Sequence, residues 1–108
     1  MKIMEASIMN YLTKLSGVTF GDCQQNIKLF GCPDVRYYSL IREPDNPHDR
    51  NAIRVAMGSC KLGYVPKDIA KHLAPKMDAG VEFEAEYVNK NTCSYNDTVG
   101  LTIKIYPA

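Results

Sequence analysis

Asp45, Asn46, His48, Asp49, Arg50 and Asn51 crowd into the stretch Arg42 to Val55, together with Pro44 and Pro47. Each proline fixes φ and removes a donor. Asp and Asn side chains fold back onto nearby backbone amides. A flexible linker is written with Gly and Ser instead, so this is a stiff loop that holds chosen groups in fixed directions. Carboxylates, amides and an imidazole held this way suit metal-assisted hydrolysis or hydrogen-bonded recognition of a small polar group. Asp49 and Asn51 also have a plainer reading, as caps of a turn.

The hydrolytic reading fails on spacing. Pro44-Asp45 opens like a metal-dependent nuclease motif, which needs a later acidic-x-Lys on a strand to hold magnesium and activate water. Glu82, Glu84 and Glu86 are followed two residues on by Glu, Glu and Val. A calcium loop is excluded by Pro47 at a ligand position and by the lack of a following Gly and distal Glu. Neither a phosphate-binding G-x-x-x-x-G-K nor a Ser or Cys nucleophile motif occurs. Catalysis, metal and cofactors are not expected.

Binding fits better. Single strands are held by bases stacked on rings, with cations for phosphates and polar groups for sugar or base edges. The rings on offer are Phe20, Tyr37, Tyr38, Tyr64 and Tyr95, and the cations Arg50, Lys67 and Lys71. Tyr37 and Tyr38 serve equally well as core residues. Lys67, Lys71, His72 and Lys76 make one basic helix side, readable as a solvated face or as part of a site beside Tyr64.

The elements that position these residues read mainly as strands. Residues 2 to 14 carry an apolar pattern for a short amphipathic helix, with a strand from near Tyr11 as the alternative. Leu15 to Phe20 reads as a strand interrupted by Gly17. Asp22 and Gln25 have capping-box spacing, opening a helix to about Phe30. Val35 to Ile41 is a strand. After the loop, Ile53, Val55 and Met57 share one face with Arg54 on the other, and Gly58-Ser59 is a two-residue II′ hairpin turn. Strand Cys60 to Val65 would then place Met57 opposite Cys60, Val55 opposite Leu62 and Ile53 opposite Tyr64. That register returns Tyr64 to the central loop. Pro66 starts a helix that Pro75 ends or kinks. Val81 to Val88 puts Val81, Phe83 and Ala85 inward and Glu82, Glu84 and Glu86 outward. Asn89 to Asp97 reads as a polar loop, and Gly100 to Tyr106 as the last strand. The sum is one curved, mainly antiparallel sheet of about six strands with two or three short helices.

The fourteen residues from Arg42 to Val55 resemble the central motif of the HIRAN domain family. Leu62-Gly63-Tyr64-Val65-Pro66-Lys67-Asp68-Ile69-Ala70 with Leu73-Ala74 resembles its second half. The resemblance covers roughly residues 15 to 106, leaving residues 1 to 14 as an N-terminal extension that covers an edge or pairs with a second copy. Such domains occur alone in bacteria and phages and at the front of eukaryotic helicase-like remodelling ATPases. The resemblance implies an OB-like barrel that binds nucleic acid without catalysis, seating the 3′-hydroxyl of single-stranded DNA. It places Asp45, Asn46, His48 and Asp49 in the terminal pocket, Tyr64 and Lys67 beside it, and Phe20, after Thr19, on the first strand. Three positions depart from the family pattern: Asp45 stands for Asn, Thr19 for Arg, and His48 for a larger ring. Association with helicase or repair proteins is a further implication.

Net charge is +1, from 13 basic and 12 acidic residues. That argues against coating duplex DNA, where many phosphates are neutralised, but leaves room for a small site gripping one strand end. A protein-interaction module with the same fold and little DNA affinity is the alternative. No apolar run approaches the ~20 residues that span a bilayer, and the first residues lack a signal-peptide apolar core. A cytoplasmic chain is expected, with Cys23, Cys32, Cys60 and Cys93 as thiols. Their spacing, with His48 and His72, does not make a zinc site.

Overall fold

The computed structural model describes residues 10–92, 95 and 97–108. The elements are β1 (Tyr11–Lys14), α1 (Cys23–Phe30), β2 (Tyr37–Arg42), β3 (Ile53–Met57), β4 (Cys60–Tyr64), α2 (Lys67–Asp78), β5 (Phe83–Thr92) and β6 (Val99–Pro107). The strands pair antiparallel in the order β1-β6-β5-β2-β3-β4. The sheet curls until its two edges meet at a bridge between Ser16 and Tyr64. There the Ser16 amide donates to the Tyr64 carbonyl at 2.8 Å, and the Tyr64 amide donates back at 2.9 Å. The result is a mainly β, curled half-barrel of six antiparallel strands, in line with the small β-barrel expected.

Alternation fills the inside. Leu101, Ile103 and Ile105 of β6 are all fully buried, as are Ile53 and Val55 of β3 and Leu62 of β4. Ile27 of α1 and Leu73 of α2 close on the same cluster. Each such side chain contributes about 1.5–3 kcal/mol by leaving water. Tyr38 is core, and its hydroxyl donates to the Phe30 carbonyl at 2.7 Å. Tyr37, its neighbour, is half exposed on the outer face.

Several expectations are corrected. The first strand is Tyr11–Lys14, and residues 18 to 22 are turns and bends rather than a strand. Most of the alternative helix over residues 2 to 14 lies outside the described residues. Asp22 makes no side-chain cap, and its φ and ψ of −93° and 12° lie outside the extended conformation of an N-cap. Gln24 does the joining instead. Its Nε2 donates to the carbonyls of Val18 and Val99, both at 2.8 Å, and its Oε1 accepts from the Val99 amide at 2.7 Å.

Helix α2 continues through Pro75 to Asp78. Pro75 sits on the exposed side and withholds one N–H from the helix ladder. Met77 still packs on the core beyond it. Strands β5 and β6 stay paired out to Thr92 and Val99, so the expected polar loop is shorter by several residues. Outward Glu86 is not simply solvated, since it accepts from Tyr106 at 2.8 Å and Arg36 at 3.4 Å. Val81, expected inward, is 39% exposed, and it precedes the strand proper.

The β3–β4 hairpin holds the correction that matters most. Met57 faces Cys60 as expected, and Gly58 has φ of 60° with no positive φ at Ser59, as a II′ turn requires. Between Val55 and Ala56 the register slips. Val55 faces Gly63 and Arg54 faces Tyr64. The additional residue is Leu62, which a bulge turns into the core. Beyond the slip Ala56 is buried and Met57 exposed, the reverse of the simple alternation.

Candidate nucleic-acid interface

The central loop is held at its stem by Arg42. Its Nη1 donates to the Ala52 carbonyl at 2.8 Å, while Nε and Nη2 grip Asp78 at the end of α2 at 2.9 and 3.1 Å. The guanidinium holds the Asp78 carboxyl below its usual range. Across the stem, the Glu43 amide donates to Ala52 and the Ala52 amide to Asp49.

Within the loop the Asx residues fold as their types predict. Asn46 Oδ1 accepts from the amides of His48 at 2.8 Å and Asp49 at 3.2 Å. Asp49 Oδ1 accepts from the Asn51 amide at 2.9 Å. Asp49 is therefore a turn cap, and it also lines a cavity.

That cavity, about 450 Å³, lies where the curled sheet closes. Three chain segments meet around it: Ser16, Gly17 and Phe20 before α1; Asn46, His48, Asp49 and Ala52 of the central loop; and Lys61, Tyr64, Val65 and Lys67 along β4 into α2. Its volume lies in the range of small-ligand pockets. Phe20 is 70% exposed at its lip, with its ring open to solvent. Lys61 Nζ sits 5.0 Å from the Tyr64 ring centroid, within cation–π range.

Phe20, Asn46, His48, Asp49, Tyr64 and Lys67 thus share one cavity. Asp45 is not among them. It lines a wider polar cleft with Arg42, Arg50 and Asp78, which shares Asn46, His48 and Asp49 with the first cavity. Thr19 is exposed in the turn before Phe20. Tyr95 is 93% exposed between β5 and β6, and Cys93 lies outside the described residues. The other cysteines are free thiols. Only Cys23 among them is buried, and that burial raises its pKa. No cluster of three or more His, Cys, Asp or Glu that could hold a metal occurs among the described residues. Nor is any described helix long and apolar enough to cross a membrane.

Two residues of the site were hidden in the sequence. Lys61 and Tyr64 are three apart on a strand, a spacing that puts regular-strand side chains on opposite faces; the bulge at Leu62 brings them together. Glu43 reads as the first residue of a loop. In the structure its Oε1 accepts from Asn46 Nδ2 at 3.0 Å and from the Tyr64 hydroxyl at 2.9 Å, and its Oε2 lies 3.2 Å from Arg54 Nη1. Partial burial pushes the Glu43 carboxyl up, but these two hydrogen bonds with the charges of Arg54 and Lys61 outweigh it and hold it below its ordinary value.

A family model described as the HIRAN domain matches residues 34–106. A Fanconi-associated nuclease 1 homolog from Arabidopsis thaliana is 52% identical over 40 residues, 36% of this chain. That match spans 4% of the length of the plant protein. Among solved structures, the HIRAN domain of human HLTF superposes with a TM-score of 0.60 at 20% identity, over 91% of this chain and 75% of that one. A protein from Lactobacillus plantarum superposes with a TM-score of 0.64 at 19% identity, over 92% of this chain and 99% of that one.

Proposed function

The chain belongs to the HIRAN domain family, whose members are DNA-binding modules, and we propose that its cavity receives the 3′-hydroxyl end of a single strand of DNA without catalysing a reaction on it. The observation that carries this reading is the hydrogen-bond inventory of Asn46 and Asp49. Both lone-pair positions of Asn46 Oδ1 are taken by the loop, and one Nδ2 hydrogen is taken by Glu43. One N–H remains to donate. One Asp49 oxygen serves Asn51, which leaves the other to accept. A donor and an acceptor on residues that line one cavity match a hydroxyl, which accepts from Asn46 and donates to Asp49. A terminal phosphate cannot donate, and its charge opposes the carboxylate. Tyr64, His48 and Phe20 supply ring faces for the terminal bases, and Lys61 and Lys67 supply charge for the phosphates behind them.

The test is fluorescence anisotropy with strands that differ only at the 3′ end. The hydroxyl end binds about ten- to a hundredfold tighter than the 3′-phosphate end, as expected for a charge-assisted bond worth ~1.5–3 kcal/mol. Asp49→Asn narrows that difference. Equal affinity for the two ends sinks the proposal. Near-balanced charge and an exposed Thr19 in place of the family's arginine favour a second reading, a protein-interaction module, which absence of binding to either strand supports. Association with a helicase or with repair enzymes that handle strand ends is the partner class the first reading implies.

A further inference from the structure

Glu43 stands outside the cavity lining, yet one carboxylate oxygen accepts from two residues that line it. We propose that Glu43 is the positioning residue of this site, setting the Tyr64 ring and the Asn46 amide in one fixed relation. The proposal rests on the cavity being the binding site, and it names the group that assembles it.

Three separate chain segments converge on the Glu43 side chain, which is 22% exposed. Asn46 comes from the central loop, Tyr64 from the end of β4, and Arg54 from β3 opposite Tyr64. With one Nδ2 hydrogen on Glu43 and its oxygen on two loop amides, the Asn46 amide plane is fixed, and so is the direction of its remaining N–H. The Tyr64 ring has two torsions; the hydroxyl bond to Glu43 ties its far end while the Ser16 bridge ties its backbone. Arg54 on the second oxygen keeps the carboxylate ionised and turned toward the other two donors. Small errors of aim in such a shell weaken recognition even when every group is present.

Glutamine at this position keeps the length but replaces one acceptor oxygen with an amide donor. Oriented to accept from Asn46 and Tyr64, it aims an N–H at Arg54; flipped, it loses the bond from Asn46 and reverses the one with Tyr64, whose hydroxyl would then accept. Neither orientation restores the wild-type set.

The test pairs a measurement on the free protein with a binding cycle. In the free protein, Glu43→Gln shifts the Asn46 side-chain amide and Tyr64 ring signals in NMR spectra. In the wild type those signals titrate together as pH falls through the Glu43 transition. The other charged groups facing the carboxylate are the cations of Arg54 and Lys61. His48 and Asp49 also lie on the loop, and His48→Gln and Asp49→Asn variants are expected to leave the joint titration in place. In the binding cycle, Glu43→Gln weakens a 3′-hydroxyl oligonucleotide about tenfold, and Tyr64→Phe weakens it severalfold while keeping the ring. The double variant is no weaker than Glu43→Gln alone. Melting temperatures identify any variant that fails to fold, and Glu43→Asp, with the charge but one methylene fewer, serves in place of one that does. Strictly additive losses, or Asn46 and Tyr64 signals indifferent to Glu43, overturn the proposal. If the wild type binds no strand while the two signals still follow Glu43, the positioning stands and the nucleic-acid reading falls.

Discussion

The hydroxyl of Tyr64 donates to Oε1 of Glu43 at 2.9 Å, although 21 residues of chain separate them. Glu43 opens the central loop at the end of β2, and Tyr64 ends β4. The bond therefore joins the loop to the far strand of the neighbouring hairpin, and the ring it anchors forms one wall of the cavity.

Acid should loosen this join. The carboxyl of Glu43 in the folded protein titrates below its ordinary value of 4.5. The unfolded chain then binds more protons in that window, and the contribution of Glu43 is fully present above about pH 4.5 and lost as pH falls through the lower folded value. Asp78 and Glu86 are held low as well, by Arg42 and by Tyr106 with Arg36, and add to the same trend. Urea unfolding between pH 7 and 3 should show stability dropping below about 4.5, and Glu43→Gln should flatten the profile. A profile that the substitution leaves unchanged contradicts the assignment.

Ring and charge should separate in binding. Tyr64→Ala removes stacking worth ~1–3 kcal/mol per base and weakens strands with either 3′ end. Lys67→Ala should instead reduce the slope of log affinity against log salt by about 1, if one phosphate contact is lost. Titrations at three or more salt concentrations distinguish the two. An unaltered slope for the lysine variant removes Lys67 from the interface.

Gly63 meets Ser16 where the sheet closes. A Cβ at Gly63 would lie 2.7 Å from the Ser16 carbonyl oxygen and 3.2 Å from Val18 Cγ1. The carbonyl belongs to the Ser16–Tyr64 bridge, so it cannot give way without opening the closure. Gly63→Ala is expected to destabilise by ~1–3 kcal/mol, the range for overpacking, and to weaken strand binding beyond that loss of stability. Unchanged thermal unfolding and binding would show that the closure tolerates displacement.

Gln24 and Gln25 give a cleaner contrast. Gln24→Ala leaves both the amide and the carbonyl of buried Val99 without their side-chain partner and should lower stability by ~1–3 kcal/mol. Gln25 is exposed, and Gln25→Ala should fall within ~0.5 kcal/mol of wild type. Chemical denaturation of both variants checks this. The opposite order would restore the capping box.

By itself the sequence determined the sheet and the loop. Ile53-x-Val55 and Leu101-x-Ile103-x-Ile105 alternate with the two-residue period of a strand, and burial of one face leaves them little other choice. Gly58-Ser59 specified its turn because only glycine enters that φ without strain. The two prolines and the Asx residues of the central loop specified its local folding, since those bonds join neighbours. Their grouping with Tyr64 and Lys67 was legible through the hairpin, which brings the strand end back. Tertiary structure decided the rest. Capping-box spacing at Asp22 and Gln25 carried no information about the nearby Val99 backbone, which drew Gln24 instead. Pro75 reads as a stop, but a helix held by core contacts on both sides of it tolerates the loss of one N–H donor. The bulge at Leu62 changes which side chains share a face, and so brings Lys61 to the Tyr64 ring and pairs Tyr64 with Arg54. Glu43 gained three partners only when three segments met around it. A hydrogen bond between distant residues leaves no period in the sequence, so a group whose role is to join segments becomes visible only once they are folded together.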